Sequence, residues 1–357
     1  MSESDEERKK ILVAPLNWGL GHATRCIPII KALIDHNFEP IIASDGVALE
    51  LLRKEFPNLK ALKLPSYNIT YAKKASSFKF KLIKDSPHLL KTIKKEKKAV
   101  DALLKSENIS GIISDNRFGV RHKSVPSVFI THQLKVLSGS TTWFSSKLHQ
   151  KIIKKFDECW VPDNLGEHNL SGKLGHPEGF QSSVKYLGPL SRFNKKVMPT
   201  KYDLLVVLSG PEPQRTFLEE KLLNELDSFN GQVCFVKGRI KDTQEINEKG
   251  NITSYNYMTS EQLEPAINES KVVLGRSGYT SIMDYAKLEK KAFFIPTPGQ
   301  FEQEYLAEKY DLEGIAPCST QKDFRIEMLS KIEDYKGFTA MNYQVNFKKL
   351  FNLFQGK

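Results

Sequence analysis

Two loops in this chain hold most of the residues whose type and spacing suit chemistry. The first, Asn17-Trp18-Gly19-Leu20-Gly21-His22-Ala23-Thr24-Arg25, follows the apolar run Ile11–Pro15 and opens a helical pattern. Gly19 and Gly21 permit a tight turn and close backbone approach, and a helix start offers free N–H groups and partial positive charge to an anion. The spacing is that of a G-x-G-x-x-G loop with Thr24 in the third glycine's place, while Asp45 closes the next strand-like run, where a dinucleotide fold keeps its ribose-binding acid. On this loop alone a nicotinamide or flavin enzyme stays open. His22 is the odd member, because a dinucleotide loop needs no imidazole at the helix start, whereas activation of a hydroxyl does. The competing explanation is a histidine that caps or fills the loop.

The second loop lies within Val272-Val273-Leu274-Gly275-Arg276-Ser277-Gly278-Tyr279-Thr280-Ser281-Ile282-Met283-Asp284. A buried strand ends in Arg-Ser-Gly and runs straight into a helix, so Gly278 lets backbone approach a ligand and the helix N–H groups face a diphosphate. Asp284, nearly two turns in, is placed to accept hydrogen bonds from two ribose hydroxyls. The next strand ends in Pro296-Thr297-Pro298-Gly299-Gln300-Phe301-Glu302-Gln303-Glu304, and its amides and carboxylates suit sugar hydroxyls, which both donate and accept. An ordinary Pro-Gly turn with an acidic helix start is the simpler alternative.

The elements that must position these loops alternate nearly end to end. Short β-branched runs and helical patterns succeed one another, the pattern of a parallel sheet with crossover helices. Strands are expected at Ile11–Pro15, Pro40–Ser44, Leu59–Leu64, Gly111–Ser114, Ser127–Thr131 and Glu158–Val161, with helices at Ala23–His36, Val47–Glu55, His88–Leu104 and Thr142–Phe156. The pattern breaks near Leu187–Leu190 and restarts with strands at Asp203–Leu208, Gln232–Val236, Asn251–Ser254, Lys271–Leu274 and Ala292–Ile295. Helices between them are expected at Gln214–Leu226, Ser260–Asn268, Tyr279–Leu288 and Phe301–Tyr310. The expected organisation is α/β, with an N-terminal Rossmann-like domain over residues 1–190, a linker over 191–201 and a second domain over 202–336. A terminal helix, about Thr339–Phe354 within residues 337–357, carries Tyr343, Val345, Phe347, Leu350, Phe351 and Phe354, and the first domain is its expected docking surface.

At 357 residues the chain exceeds the usual size of one hydrophobic core, and its 40% hydrophobic and 27% charged residues fit a globular protein. Met1 to Lys10 is acidic and then basic with no apolar core, which argues against a secretory signal, and no run reaches the roughly 18–20 apolar residues of a membrane span. Cys26, Cys159, Cys234 and Cys318 are scattered without metal spacing and read as buried thiols in a reducing compartment, hence a cytoplasmic location. The net charge of +11 implies an acidic partner, yet no zinc-finger, RNP-like or basic-helix signature points to nucleic acid. Lys73, Lys74, Lys79, Lys81, Lys84, Lys91, Lys94, Lys95, Lys97 and Lys98 are opposed only by Asp85 and Glu96. Interleaved with Phe78, Phe80, Leu82, Ile83, Leu89, Leu90 and Ile93, they form either a solvated helix face or a cationic amphipathic segment that rests on an anionic bilayer.

In motif order, the Gly-Leu-Gly-His loop, Gly275-Arg276-Ser277-Gly278 with Asp284, and the block Pro298-Gly299-Gln300-Phe301-Glu302-Gln303-Glu304-Tyr305 resemble the GT-B glycosyltransferases of family 28. Within that family the resemblance is to the N-acetylglucosaminyltransferases, and it runs over nearly the whole chain. It implies two Rossmann-like domains facing across a cleft, a nucleoside-diphosphate sugar as co-substrate, with uridine diphosphate the expected carrier, and an acceptor that is lipid-linked in the family's best-known branch. It further implies inverting transfer without a metal or other cofactor. By position, Asp284 falls where the family holds the ribose, Gln303 falls on a glutamine that meets the donor sugar, and Glu304 replaces a second one. Tyr257 and Met258 match the place where backbone meets uracil, Ser209 and Gly210 match the turn that opens the donor domain, and His22 matches the histidine of the acceptor-side loop. Asn17-Trp18 and Glu304 depart from the family pattern, so the resemblance carries the reaction class and not the particular substrates.

Such a transfer needs a base for the acceptor hydroxyl and stabilisation of the leaving diphosphate. His22 is the candidate base, with Asp115 orienting its imidazole as in related GT-B enzymes. The alternative for Asp115 is a turn cap. The amides around Ser277–Gly278 are the candidate diphosphate site, with Arg276 and Arg215 as cationic aids, and His132 is a candidate acceptor contact beside Gly19 and Gly21. Competing readings on the same fold are a nucleotide-sugar hydrolase or epimerase and a non-catalytic nucleotide-sugar or anionic-lipid binding protein.

Overall fold

The structure is a computed structural model that describes residues 8–67, 78–180, 183–339 and 344–356, with backbone alone for 78–87. Its first half forms a seven-stranded, all-parallel sheet. The strands are β1 (Lys10–Pro15), β2 (Glu39–Ser44), β3 (Ala61–Lys63), β4 (Ile109–Asp115), β5 (Ser127–Ile130), β6 (Glu158–Val161) and β7 (Val184–Tyr186), in the order β3-β2-β1-β4-β5-β6-β7. Helices α1 (Gly21–Asp35), α2 (Gly46–Glu55), α3 (Phe78–Glu107) and α4 (Thr142–Ile153) connect them. In α1, Ala23, Cys26, Ile27, Ile30 and Leu33 recur at helical spacing and are all fully buried, so the apolar stripe fixes which face meets the sheet.

The second half repeats the plan with β8 (Tyr202–Val207), β9 (Val233–Val236), β10 (Ile246–Lys249), β11 (Ile252–Tyr255), β12 (Ser270–Gly275) and β13 (Lys291–Phe294), ordered β10-β11-β9-β8-β12-β13. Only β10 runs antiparallel within this sheet. Its helices are α5 (Gln214–Leu226), α6 (Ser260–Asn268), α7 (Tyr279–Leu288) and α8 (Phe301–Leu312). Strands β7 and β10 were not expected from sequence. One is three half-buried residues at an edge, the other fully exposed and polar, so neither shows the apolar run that marks a buried strand.

The terminal helix is shorter than its composition implied. It spans α9 (Phe347–Phe351), with Asn346 accepting a hydrogen bond from the Lys349 amide at 2.9 Å, and passes into a 3-10 turn at Asn352–Phe354. Tyr343 lies outside the described residues. An asparagine cap ends the helix N-terminally because its side chain satisfies an amide that a further helical turn would otherwise pair. Phe351 and Phe354 seat in the first half: Phe38 is 5.7 Å from the Phe351 ring, and Trp160 is 6.2 Å from the Phe354 ring.

The two sheets face one another and touch at the starts of α1 and α7. Thr280 Oγ1 donates to the Gly21 carbonyl at 3.0 Å, and Tyr279 OH donates to that of Pro162 at 2.8 Å. The Ser260 amide reaches Glu55 Oε1 at 2.7 Å. Among the described residues no helix is long and apolar enough to cross a membrane.

Candidate active site

In an open α/β sheet, ligands bind beyond the carboxyl ends of the strands, where strand order reverses. In the first sheet that place lies between β1 and β4, with Pro15 in register with Asp115; in the second it lies between β8 and β12, with Val207 in register with Gly275. A cavity of about 320 Å³ joins the two places. Gly19, Gly21, His22 and His132 line it from the first half. Ser209, Gly210, Tyr257, Met258, Gly278, Asp284, Gln300 and Gln303 line it from the second.

His22 stands in the first turn of α1, and Asp115, fully buried, ends the neighbouring strand. Their Nδ1 and Oδ1 atoms are 2.8 Å apart. Burial by itself would raise the Asp115 carboxyl, but the Arg25 guanidinium and His22 outweigh it and hold it down at about 2. Two groups meet His22 Nδ1: the Asp115 carboxylate, which only accepts, and an Arg25 amino group at 2.7 Å, which only donates. With the Arg25 amino group also bound to Asp115, the carboxylate takes the His22 Nδ1 proton and Nε2 keeps its lone pair on a ring that lines the cavity. Burial first, and then the Arg25 charge, lower the His22 pKa against the pull of Asp115, which keeps the ring neutral at pH 7. A neutral imidazole with a free nitrogen in a cavity is what removal of a hydroxyl proton needs.

Facing it, α7 begins at Gly278, whose backbone is extended, and its first amides point along the helix axis into the cavity. With the start of α1 in contact, two helix N-termini converge there, an arrangement that favours an anion. Asp284, one side of the same helix, accepts from Ser191 Oγ at 2.7 Å, and burial pushes its pKa up to about 6 despite Arg192 nearby. Gln303 is fixed by the Thr297 amide at 2.8 Å and by Ser277 Oγ on its carbonyl at 2.7 Å. Gln300 Oε1 and Thr297 Oγ1 beside it are buried without a protein hydrogen-bond partner. Buried polar atoms in that state are uncommon and match a polar ligand.

Several expected contacts fall elsewhere. Arg276 is turned away from the cavity: its guanidinium binds the Ile295 and Pro296 carbonyls at 3.0 Å, that of Gln214 at 2.9 Å and Gln321 Oε1 at 2.7 Å. With both terminal amino groups bound to carbonyl oxygens, the guanidinium ties the segments after β8 and β13 together and is not part of the cavity lining. Arg215 is likewise held by Glu219 and the Lys237 carbonyl, Ser277 is fully buried behind Gly278, and Glu304 is exposed with Oε1 on the Gly299 amide at 2.8 Å. Tyr257 lines the cavity, but its amide already donates to Asn256 Oδ1 at 2.9 Å and its carbonyl accepts from Gln244 at 2.7 Å. Asp45 is buried and occupied by Arg117 and Asn17, at 2.7 and 3.2 Å, so it offers nothing to a dinucleotide ribose.

Sequence reasoning passed over Arg25 and Glu302. Arg25 sits one turn beyond His22, on the same helix face, and its guanidinium binds Asp115 through Nε and a terminal amino group. Glu302 Oε1 lies 2.9 Å from His132 Nε2. The His22-x-x-Arg25 spacing was a legible signal for the first; the second depends on a contact between residues 170 apart. Of the lysine-rich segment, Lys73 and Lys74 lie outside the described residues, and the Lys79, Lys81 and Lys84 side chains outside the described side chains. Lys91, Lys94, Lys95, Lys97 and Lys98 are exposed on α3, while Glu96 points inward to Arg117 at 2.8 Å and does not neutralise that face.

Comparison with known proteins bears on the fold. The spinosyn rhamnosyltransferase SpnG gives a TM-score of 0.59 at 13% identity, over 97% of this chain and 95% of that one. Solved with thymidine diphosphate, the same protein gives 0.56 at 12%, over 92% and 90%. The fold is therefore GT-B, two Rossmann-like domains across a cleft. Residues 211–335 match the glycosyltransferase family 28 C-terminal domain. An uncharacterized glycosyltransferase of Methanosarcina acetivorans is 22% identical over 325 residues, 85% of this chain and 84% of that protein. The UDP-N-acetylglucosamine--N-acetylmuramyl-(pentapeptide) pyrophosphoryl-undecaprenol N-acetylglucosamine transferase of Buchnera aphidicola subsp. Schizaphis graminum is 22% identical over 211 residues. That match spans 57% of this chain and little more than half, 56%, of the transferase.

Proposed function

We propose that this chain is a glycosyltransferase that moves a sugar from a nucleoside-diphosphate donor, with uridine the expected base, to an acceptor hydroxyl. The observation that carries the reading is the meeting, in one cavity, of a neutral His22 backed by Asp115 and the α7 N-terminus flanked by Asp284 and Gln303. In the proposed reaction His22 Nε2 takes the acceptor proton as the acceptor oxygen bonds to the anomeric carbon. The bond from that carbon to the diphosphate oxygen breaks, and the charge on the leaving group falls on the α7 amides. Inversion at carbon and independence of a metal belong to the same reading. With Arg276 and Arg215 turned inward, the amides and helix dipole act without them.

Acceptor chemistry is read from the opposite wall, where Trp18, Leu89, Phe118 and Val136 give an apolar lining. Beyond it, α4 exposes Trp143, Phe144 and Leu148 at 72%, 66% and 49%, beside exposed Lys147 and Lys151, and Thr142–Ile153 contains no acidic residue. An apolar face edged with lysine suits the surface of an anionic bilayer. We read the protein as a peripheral enzyme of the cytoplasmic face with a lipid-linked acceptor.

The test is thermal unfolding against UDP, GDP, dTDP, NAD and the corresponding sugar nucleotides. A ligand at about 100 times its Kd adds about 2.7 kcal/mol, or roughly 5–10 °C here. A shift with one nucleoside diphosphate and its sugar, and none with NAD, supports the reading. A shift with NAD alone refutes it, and free sugar released at full rate without acceptor would make the protein a hydrolase.

A further inference from the structure

We propose that Glu302 and Arg25 are positioning residues that tie the orientation of the base His22 to closure of the donor domain. The inference rests on the glycosyltransferase reading for its purpose, though not for its geometry. Arginine can only donate hydrogen bonds. Arg25, 1% exposed, gives Nε and one amino group to Asp115, and its other amino group is 3.0 Å from His132 Nδ1. His132 must therefore accept at Nδ1, carry its proton on Nε2 and donate it to Glu302 Oε1 at 2.9 Å. Glu302 Oε2 takes the Gln133 amide. One series of contacts thus runs from the donor domain through Glu302, His132 and Arg25 to His22, which Arg25 meets both through Asp115 and directly, 2.7 Å from Nδ1.

The series crosses between domains at His132. Its ring also stacks on Tyr279 of α7, 4.2 Å between centroids and 6° from parallel. Two of the three restraints on the His132 ring, Glu302 and Tyr279, thus come from the donor domain, and Glu302 directly precedes Gln303, the candidate sugar contact. When the domains part, the His132 Nε2 proton loses its acceptor and the ring loses its stacking partner, leaving it held through Arg25. The ring can then turn from the Arg25 amino group, and the guanidinium that fixes Asp115 loses one of its partners. The base is then correctly held only when α8 is in place, so acceptor activation waits for a closed, donor-occupied cleft. The charged and titratable groups facing His22 are Arg25, Asp115, His132 and Glu302.

The test uses the full chain and two readouts. Imidazole nitrogen-15 NMR reports tautomers without any substrate: wild type should show His22 protonated at Nδ1 and His132 at Nε2. In Glu302→Gln the carboxylate charge is lost and the Gln133 amide can turn to pair with the new one, so the His132 Nε2 proton meets a neutral acceptor and the His132 and His22 signals should both shift. Arg25→Gln removes a cation that disfavours protonation of His22, so its pKa should rise, a directional change that loss of packing alone does not give. If Glu302→Gln leaves both rings as in wild type, the coupling is wrong. The second readout is UDP release from UDP-N-acetylglucosamine, or whichever sugar nucleotide shifts unfolding. Glu302→Gln should lower kcat at least tenfold with donor KM within twofold, and Glu302→Asp should restore part of it. Equal kcat in Glu302→Gln also overturns the proposal. A wild type that releases no nucleotide from any sugar donor defeats the transferase reading, while NMR decides the coupling by itself.

Discussion

Binding of the sugar nucleotide that raises the unfolding temperature should weaken about tenfold between pH 7 and pH 5, and Asp284 should be the reason. Asp284 is 6% exposed, and burial pushes its carboxyl up to about 6 from an ordinary 3.8. Ribose hydroxyls donate to a carboxylate; a protonated carboxyl has lost one acceptor and carries a proton in the way. If only the ionised form binds, affinity is reduced about tenfold one pH unit below the pKa and by about a tenth one unit above it, a difference of about 1.4 kcal/mol. UDP itself is a poor probe because its terminal phosphate titrates in this range, whereas the phosphates of a sugar nucleotide do not. Titration calorimetry at constant ionic strength from pH 5 to 7.5 measures the slope, and Asp284→Asn should flatten it at the weak-binding end. Unfolding gives a signature of opposite sign. Because the folded pKa lies above the unfolded one, the neutral carboxyl's contribution is complete below about pH 4 and lost as pH rises through 6. It amounts to about 3 kcal/mol in all. The ligand-free protein should therefore lose this increment over the interval in which the donor binds more tightly. A flat binding profile in wild type, or one that Asp284→Asn leaves unchanged, refutes the assignment of this carboxylate to the ribose.

Two further expectations concern surfaces. Phe354 is 2% exposed, and its ring lies so close to Gly111 that a Cβ there would sit 2.3 Å away. Phe354→Ala should cost about 3–5 kcal/mol, lowering Tm by roughly 6–20 °C in calorimetry; a drop under about 1 °C would mean the terminal segment does not support the first domain. Replacing both Trp143 and Phe144 by Ser should reduce sedimentation with phosphatidylglycerol vesicles several-fold at unchanged Tm, since both rings are exposed. Equal sedimentation would remove α4 from the membrane reading.

Much of this protein was legible in the chain itself. The alternation of β-branched runs with helical stripes such as Ala23, Cys26, Ile27 and Ile30 marks α/β, and the loops that carry His22, Gly278 and Gln303 follow directly from strand ends. Such signals are local, because side-chain periodicity along a strand or helix is set by near neighbours. They were weakest where an element is polar or half-buried, as at β7 and β10, which supply no periodic stripe.

Which charged groups face the cavity was settled elsewhere. Arg25, Arg215 and Arg276 all sit beside helix starts, and nothing in their neighbours distinguishes them. Strand order decides, because placing β4 beside β1 brings Asp115 to Arg25 across 90 residues, while the carbonyls after β13 capture Arg276. Glu302 reads as an ordinary acidic residue in the first turn of a helix until domain apposition sets it against His132. Sequence by itself determined the elements and the loops at their ends, since those depend on local pattern. Partner choice among buried charges required the tertiary structure, because desolvation makes each guanidinium take the nearest well-placed oxygens, and long-range packing alone determines where those are.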